Sequence, residues 1–132
     1  MNMYLKAANY IVTRAKKPFE WGNWDCNLFV VDFLDHLDGG NRSEQIRNNY
    51  KNKLGAIRFQ KNYTPAPQWI ESQGYNLMVA NPKDFDIVLE QNKHYWTASI
   101  AFGGDLWSVT EDVGMTLRPI GSEAYYLGRK NG

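Results

Sequence analysis

The sequence contains a single cysteine, Cys26, in a position that suits thiol chemistry. It follows an aromatic, glycine-containing segment, residues 19–25, and it precedes an apolar run that predicts a helix. With Asp25 or Asn23 as the N-cap, the thiol lies in the first helical turn, where backbone N–H groups and the helix dipole favour a thiolate. A lone cysteine on an apolar helix face is also commonly a small, inert core residue. Position alone leaves both alternatives open.

A cysteine nucleophile needs a proton-accepting partner, and histidine is the usual one. The sequence has two histidines. His36 follows Cys26 by ten residues on the same predicted helix, which places it roughly 15 Å away at the helical rise. That distance excludes it as a base. His94 is therefore the candidate base, and the alternative for it is a surface histidine at a strand edge.

The spacing of apolar residues predicts helices in the first half of the chain and strands in the second. Helices are expected at residues 4–15, from Cys26 to the Gly39–Gly40 stop signal, at 43–47, at 53–61 and around Trp69. Short apolar or alternating runs predict strands at residues 85–90, 95–102, 106–110, 115–120 and 124–127. Helices followed by an antiparallel meander make an α+β domain.

Length, charge and composition exclude several classes of protein. The 132 residues fit one domain, residues 1–132, and one cysteine allows no internal disulfide. A net charge of +1 gives no basic stripe for nucleic acid. No apolar run approaches the ~20 residues that span a bilayer, and the N-terminal residues do not form a signal peptide.

No metal or other cofactor is expected. Cys26 and the two histidines lack any zinc-ligand spacing. Asp32, Asp35 and Asp38 recur every three residues on the Cys26 helix, but no glycine-bearing calcium loop accompanies them. We predict that these three carboxylates form a solvated helix face.

The segment around Cys26 resembles the nucleophile motif of the NlpC-like papain-fold cell-wall peptidases. It looks closest to a small phage tail-associated branch with the pattern Trp-Gly-x-x-Asp-Cys-x-Leu-Phe, which is matched here by Trp21, Gly22, Asp25, Cys26, Leu28 and Phe29. Weaker matches follow at Arg47 and Tyr50, at Asp86 before an apolar strand, and at Gly103 after another. The resemblance covers residues 18–127 and implies a papain-like, NlpC-type domain with Cys26 as the nucleophile.

The sequence departs from this family at the base. The resemblance implies a histidine at the start of the strand that ends at Gly103, and counting back places that position at Thr97. Threonine cannot accept a proton near neutral pH. Catalysis would therefore require His94, three residues earlier, oriented by a polar residue such as Ser108 or Glu111. Because side chains alternate along a strand, we predict that His94 lies beyond hydrogen-bond distance of Cys26.

The resemblance also implies the substrate side of the site. Trp21 and Trp24 flank the nucleophile turn and could line a groove or pack the turn onto the core. Asp25, Arg47 and Tyr50 complete the candidate substrate-binding set, with a helix-end ion pair as the alternative for Arg47.

Two functions from different classes follow. The first is a structural or tail-assembly protein of a phage virion that has a degenerate catalytic site and binds other tail or virion proteins. The second is an active cysteine peptidase or amidase that cuts peptidoglycan peptides during phage entry; acyl transfer on a small amide or thioester would use the same site. In either case the expected location is the virion.

Overall fold

The computed structural model describes residues 2–131. Five helices occupy the first half: α1 (Met3–Arg14), α2 (Cys26–Asp38), α3 (Arg42–Ile46), α4 (Lys53–Asn62) and α5 (Ala66–Ser72). Six strands follow: β1 (Tyr75–Ala80), β2 (Ile87–Gln91), β3 (Trp96–Phe102), β4 (Asp105–Thr110), β5 (Gly114–Pro119) and β6 (Tyr125–Lys130). The predicted α+β class, with helices N-terminal to an antiparallel sheet, is confirmed.

The strands form one sheet in the order β1-β6-β2-β3-β4-β5, and the pairs are antiparallel. Strands β2 to β5 make the expected meander, with tight turns at Gly103–Gly104 and before Gly114. Strand β6 departs from it, because the chain returns and inserts β6 between β1 and β2. Strand β1 was not predicted from the sequence.

The main core lies between the helices and one face of the sheet. It includes Phe29 and Phe33 of α2, Tyr10 of α1, and Ala98 and Ile100 of β3. A smaller cluster lies on the opposite face of the sheet and contains Val88, Ala101, Leu106 and Leu127. Because side chains alternate along β3, Ala98 and Ile100 face the helices while Thr97, Ser99 and Ala101 face away from them.

The acidic residues of α2 do not form a solvated face. Asp35 is buried, and its carboxylate accepts hydrogen bonds from the backbone N–H of Arg42 at 2.8 Å and from the N–H and hydroxyl of Ser43 at 2.9 and 2.8 Å. These bonds hold the start of α3 against α2. The prediction of solvent exposure was wrong for Asp35. The chain reverses at Gly39, so that the start of α3 packs against this carboxylate and covers it.

Across the described residues, no helix combines the length and the apolar character that a bilayer crossing needs. Within the same residues, no group of three or more histidine, cysteine or acidic side chains is arranged to hold a metal ion.

Candidate functional site

Asp25 places Cys26 at the start of α2. Its side chain is almost fully buried, and Oδ1 accepts a hydrogen bond from the backbone N–H of Leu28 at 2.9 Å as the N-cap of the helix. The other oxygen, Oδ2, accepts bonds from the N–H of Gly22 at 3.0 Å and from the hydroxyl of Tyr50 at 2.6 Å. One carboxylate therefore fixes the helix start, the preceding turn and the connector after α3.

The turn before Cys26 requires glycine. Gly22 has a φ of +79°, and a Cβ at this position would lie 1.8 Å from the carbonyl oxygen of Tyr50. The carbonyl of Gly22 accepts a hydrogen bond from the N–H of Asn48 at 2.9 Å, and Asn48 itself has a positive φ of 64°. The turn and the residue 47–50 connector thus hold each other in place.

Strand β3 approaches Cys26 from the other side. The Asn27 side-chain amide donates to the carbonyl of Trp96 at 3.0 Å. Gln60 of α4 makes two bonds to the same residue, accepting from its N–H at 2.8 Å and donating to its carbonyl at 3.0 Å. The start of β3 is therefore tied to the first turn of α2 and to α4, which places Ala98 beside the thiol.

Burial and, to a smaller extent, the negative charge of Asp25 raise the pKa of the Cys26 thiol to about 12. Hydrogen bonds from backbone N–H groups of Ala98 and Asn27 oppose this rise but do not cancel it. The residue keeps a partly exposed surface. The expectation that the helix start would favour a thiolate is wrong here, and the thiol is neutral at pH 7.

The β3 residue that faces α2 is Ala98, one position after Thr97. Ala98 belongs to the core cluster between sheet and helices, whereas Thr97 lies on the other face and its hydroxyl donates to the carbonyl of Glu90 at 3.2 Å. Thr97, the position counted back from Gly103, therefore faces away from α2. Neither side chain can accept a proton from Cys26.

His94 is exposed in the turn between β2 and β3. Within residues 2–131, no hydrogen bond joins it to Cys26, and it does not line the cavity that contains the thiol. The two candidates for orienting it have other partners: the Ser108 hydroxyl donates to the carbonyl of Ala98 at 2.9 Å, and Glu111 accepts from the indole of Trp21 at 2.5 Å.

The two tryptophans of the motif have different surroundings. Trp24 is only 1 % exposed and packs in the core, with Lys17 over its ring, so it presents no surface to a ligand. Trp21 is half-buried and lines the cavity with Cys26. Its ring makes an edge contact with Tyr95, with centroids 6.4 Å apart.

Arg47 and Tyr50 serve the structure of the connector. Arg47 forms ion pairs with Glu44 at 2.9 Å and Asp32 at 3.7 Å. Tyr50 is buried against Asp25, and burial together with that carboxylate raises the pKa of its hydroxyl well above the usual range. Asp25 and Tyr50 lie beside the thiol but are turned toward the protein rather than toward the cavity.

The cavity beside Cys26 is an open groove with about 1030 Å³ of empty volume. It lies where β3 and β4 separate: their pairing covers only Ile100–Phe102 with Asp105–Trp107, and the outer parts of the two strands diverge. Its wall includes Trp21, Cys26 and Tyr95 at one end. The rest is formed by residues of β2 to β5, among them Glu90, Thr97, Ser99, Ser108, Thr116 and Arg118.

Two residues of this groove were missed in the sequence. Tyr95 lines the groove with the thiol, and burial raises the pKa of its hydroxyl. Ser99 is 4 % exposed, and its hydroxyl has no hydrogen-bond partner in the described residues. The sequence signal for Ser99 was a hydroxyl within a mostly apolar strand. This signal identifies a groove residue only when the face of the strand that it occupies is known.

A second cavity, of about 570 Å³, lies on the other side of the first turn of α2. Its wall is mainly apolar and aromatic, with Tyr50, Phe59, Tyr63 and Trp69 among its residues. The two amide side chains in this wall, those of Asn27 and Gln60, already bond to Trp96.

The sequence matches a family model described as a domain of unknown function, DUF6950, over residues 3–125. The chain belongs to the DUF6950 family. A comparison with curated proteins finds no match. The matched range of this DUF6950 domain contains the helices, Cys26 and the groove, and it ends at the first residue of β6.

Proposed function

We propose that this DUF6950 protein is a structural or tail-assembly component of a phage virion, with a papain-like, NlpC-type fold and a degenerate catalytic site. The motif around Cys26 supports the relationship to the NlpC-like proteins. The arrangement of Cys26 at the start of α2, with β3 beside it, is what that relationship would lead one to expect.

The main observation in favour of a degenerate site is the type of residue that β3 places beside the thiol. The backbone N–H of Ala98 reaches the thiol, and neither Ala98 nor the preceding Thr97 supplies the imidazole that a cysteine peptidase needs. The thiol is also the neutral form at pH 7, since burial and Asp25 hold its pKa near 12. A neutral thiol with no adjacent base is a poor nucleophile for an amide carbonyl.

A structural role explains the hydrogen bonds of the turn before Cys26 without catalysis. Asp25 joins the N–H groups of Gly22 and Leu28 and the hydroxyl of Tyr50, which stabilises the fold without any need for catalysis. Large apolar side chains are exposed at several places, as contacts with neighbouring proteins in a particle would require. They include Tyr4, Leu5, Val12, Leu54, Val79 and Val113.

The second candidate is an active cysteine peptidase or amidase that cuts peptidoglycan peptides during phage entry. The observation that favours it is the groove, which reaches a partly exposed Cys26. In that function the thiolate attacks an amide carbonyl and His94 protonates the leaving amine. The turn at residues 92–95, closed by a bond from the N–H of Asn92 to the carbonyl of Tyr95 at 2.8 Å, would have to rearrange first.

Hydrolysis of synthetic wall peptides separates the two candidates. We expect equal, negligible rates for the wild type, Cys26→Ala and His94→Ala. Robust hydrolysis that both substitutions abolish would overturn the structural assignment and establish the peptidase.

The particle role is tested separately. In particles of a phage that carries this gene, mass spectrometry should detect the protein at a fixed copy number. Particles with Cys26→Ala should assemble with the same copy number and infect normally. Absence of the protein from purified particles would contradict the virion assignment, whatever the result of the hydrolysis assay.

A further inference from the structure

Five hydroxyl side chains line the groove on the sheet face that points away from the helices. We call this set the hydroxyl face, and it consists of Thr97, Ser99, Ser108, Thr110 and Thr116. Ser108 of β4 and Thr116 of β5 are directly paired across their strands. Alternation places Thr97 and Ser99 on the same side of neighbouring β3. The hydroxyl face therefore lies on one side of the sheet, on both sides of the opening between β3 and β4.

The hydroxyl of Ser99 is the unexplained group in this surface. Ser99 is only 4 % exposed, and it lines the groove. Its Oγ has no hydrogen-bond partner among residues 2–131. A buried hydroxyl without a hydrogen bond is unfavourable, and such groups usually mark a bound water or ligand. Ser99 thus has a donor and an acceptor at the wall of the groove that no described residue uses.

The charged side chains in the wall of the groove give it no net charge. Glu90 of β2 and Arg118 of β5 form an ion pair that spans the two strands between them. Lys53 and Glu111 also line the groove, so its wall has two cationic and two anionic side chains. A wall with balanced charge and many hydroxyls matches a neutral ligand that both donates and accepts hydrogen bonds.

Aromatic rings stand at the end of the groove near Cys26. Phe19, Trp21 and Tyr95 line this end, and the ring of Phe19 makes an edge contact with that of Trp21, with centroids 4.9 Å apart. Aromatic faces pack against the apolar C–H surface of a ring-shaped ligand, while side-chain hydroxyls and amides bond to its polar groups.

We propose that this groove is a binding site for a neutral saccharide of two or three rings, with Ser99 bonding to a sugar hydroxyl. An extended peptide fits the site less well. A peptide that adds to a sheet bonds to the free backbone groups of a strand edge. Where β3 leaves β4, the carbonyl of Ala98 already accepts from Ser108, so one of these groups is taken. The proposal goes beyond the virion role and does not use the reactivity of Cys26.

Titration by NMR amide shifts tests the proposal, with maltotriose and chitotriose as saccharide probes and acetyl-tetra-alanine amide as the peptide probe. We expect at least one saccharide to shift amides of β3, β4 and β5 around the hydroxyl face. Ser99→Ala should weaken that binding about tenfold, as expected for the loss of one buried hydrogen bond. The matched control is Ser122→Ala, an exposed serine outside the groove, which should bind like the wild type.

Thr116→Val is a second variant, in which the new side chain has nearly the shape of threonine but no hydroxyl, and it should also weaken binding. It tests the proposal if Ser99→Ala fails to fold. No shift with either saccharide at millimolar concentration would overturn the proposal and leave Ser99 with a bound water only. Shifts with the peptide alone would overturn it in favour of a peptide site. Saccharide binding that neither variant weakens would place the ligand elsewhere and also refute the proposal.

Discussion

At the residue scale, the thiol of Cys26 experiences two opposing influences. The start of α2 supplies N–H groups and a favourable dipole, which stabilise a thiolate. Burial against β3 and the charge of Asp25 favour the neutral thiol, and they dominate, since the pKa rises from 9.0 to about 12. The same carboxylate that caps the helix therefore suppresses the reactivity that the helix start would otherwise confer.

This balance predicts slow alkylation of Cys26. With a pKa of about 12 in place of 9.0, the fraction of thiolate at pH 7 falls about a thousandfold. Each thiolate is more nucleophilic because it is more basic, so the rate of alkylation falls by less than the thiolate fraction. We expect iodoacetamide to label the folded protein about thirtyfold more slowly than the urea-unfolded chain, with Cys26→Ala as the unlabelled control. Mass spectrometry follows the reaction. Labelling faster than that of free cysteine would contradict the raised pKa.

The turn before Cys26 yields a second prediction at this scale. Gly22 and Gly39 both have positive φ angles, of 79° and 75°, but only Gly22 has backbone where a Cβ would lie. Gly39→Ala should lower the free energy of unfolding by about 1–2 kcal/mol, the cost of a left-handed alanine. Gly22→Ala adds a clash with the carbonyl of Tyr50 and should lose at least about 2 kcal/mol more.

Urea denaturation of both variants measures the difference. Equal losses in the two variants would show that the 47–50 connector can move away from the turn. In that case the contact between Gly22 and Tyr50 would not hold the nucleophile loop in place.

The sequence predicted local features of the site and missed those that depend on distant strands. Asp25 as N-cap and Gly39 as helix stop follow from neighbouring residues alone, and both are found. The protonation of Cys26 could not be predicted, because it depends on β3, some seventy residues later. The same holds for the start of β3, because the face that Thr97 and Ala98 each occupy depends on how this strand packs against the distant helix α2.

At the element scale, the helix and strand positions were largely predictable, and the order of the strands was not. Strands β2 to β5 follow one another through short turns, so their pairing is local. Strand β1 was missed because it is an edge strand with exposed Asn76 and Val79 and only a weak alternation of burial. The insertion of β6 between β1 and β2 is a long-range pairing that leaves no signal in either segment.

The contact between α2 and α3 yields a prediction at this scale. Although burial opposes it, hydrogen bonds from Ser43 and Arg42 hold the pKa of Asp35 below its usual value. Asp35→Asn should lower the free energy of unfolding by about 2–3 kcal/mol, since an amide cannot accept all of these bonds. Asp38 also pairs with Arg42 but is exposed, so Asp38→Asn should lose less than about 1 kcal/mol. Thermal or urea unfolding at pH 7 compares the two variants.

The sign of the pH dependence provides a check on the same contact. A lowered pKa in the folded state contributes stability that is present at neutral pH and lost as the pH falls through the acid range. The wild type should therefore lose more stability between pH 7 and low pH than Asp35→Asn does. A parallel decline in both proteins would mean that Asp35 is not ionised in the contact.

At the scale of the whole molecule, the sheet is weakest between β6 and β2. These strands pair at only two positions, Ile87 with Gly128 and Val88 with Leu127, and β1 reaches the rest of the sheet only through β6. Helix α5 packs on this outer pair, with Ile70 and Tyr75 in the common core. The β1–β6 pair is thus a nearly separate unit that needs a further contact with the meander.

That contact is the ion pair between Asp86 and Arg129. Asp86, just before β2, is 2 % exposed and accepts hydrogen bonds from Arg129 Nη2 at 2.7 Å and Nε at 3.1 Å, and from the N–H of Lys83 at 2.8 Å. Arg129 of β6 also donates to the carbonyl of Asn81 at 3.1 Å. One carboxylate therefore joins β6, the start of β2 and the loop after β1.

Removing this carboxylate should loosen the β1–β6 pair before the rest of the domain. Asp86→Ala leaves several donors without a partner, and we expect a loss of about 3 kcal/mol in the free energy of unfolding, because breaking a buried pair leaves an uncompensated charge. Hydrogen exchange should accelerate in β1 and β6 more than in β3 and β4. Glu44→Gln, which removes an exposed partner of Arg47, is the matched control and should change stability by less than about 1 kcal/mol. Uniform acceleration of exchange across all six strands would show instead that the sheet unfolds as a single unit and that Asp86 does not hold a separable pair of strands to the meander.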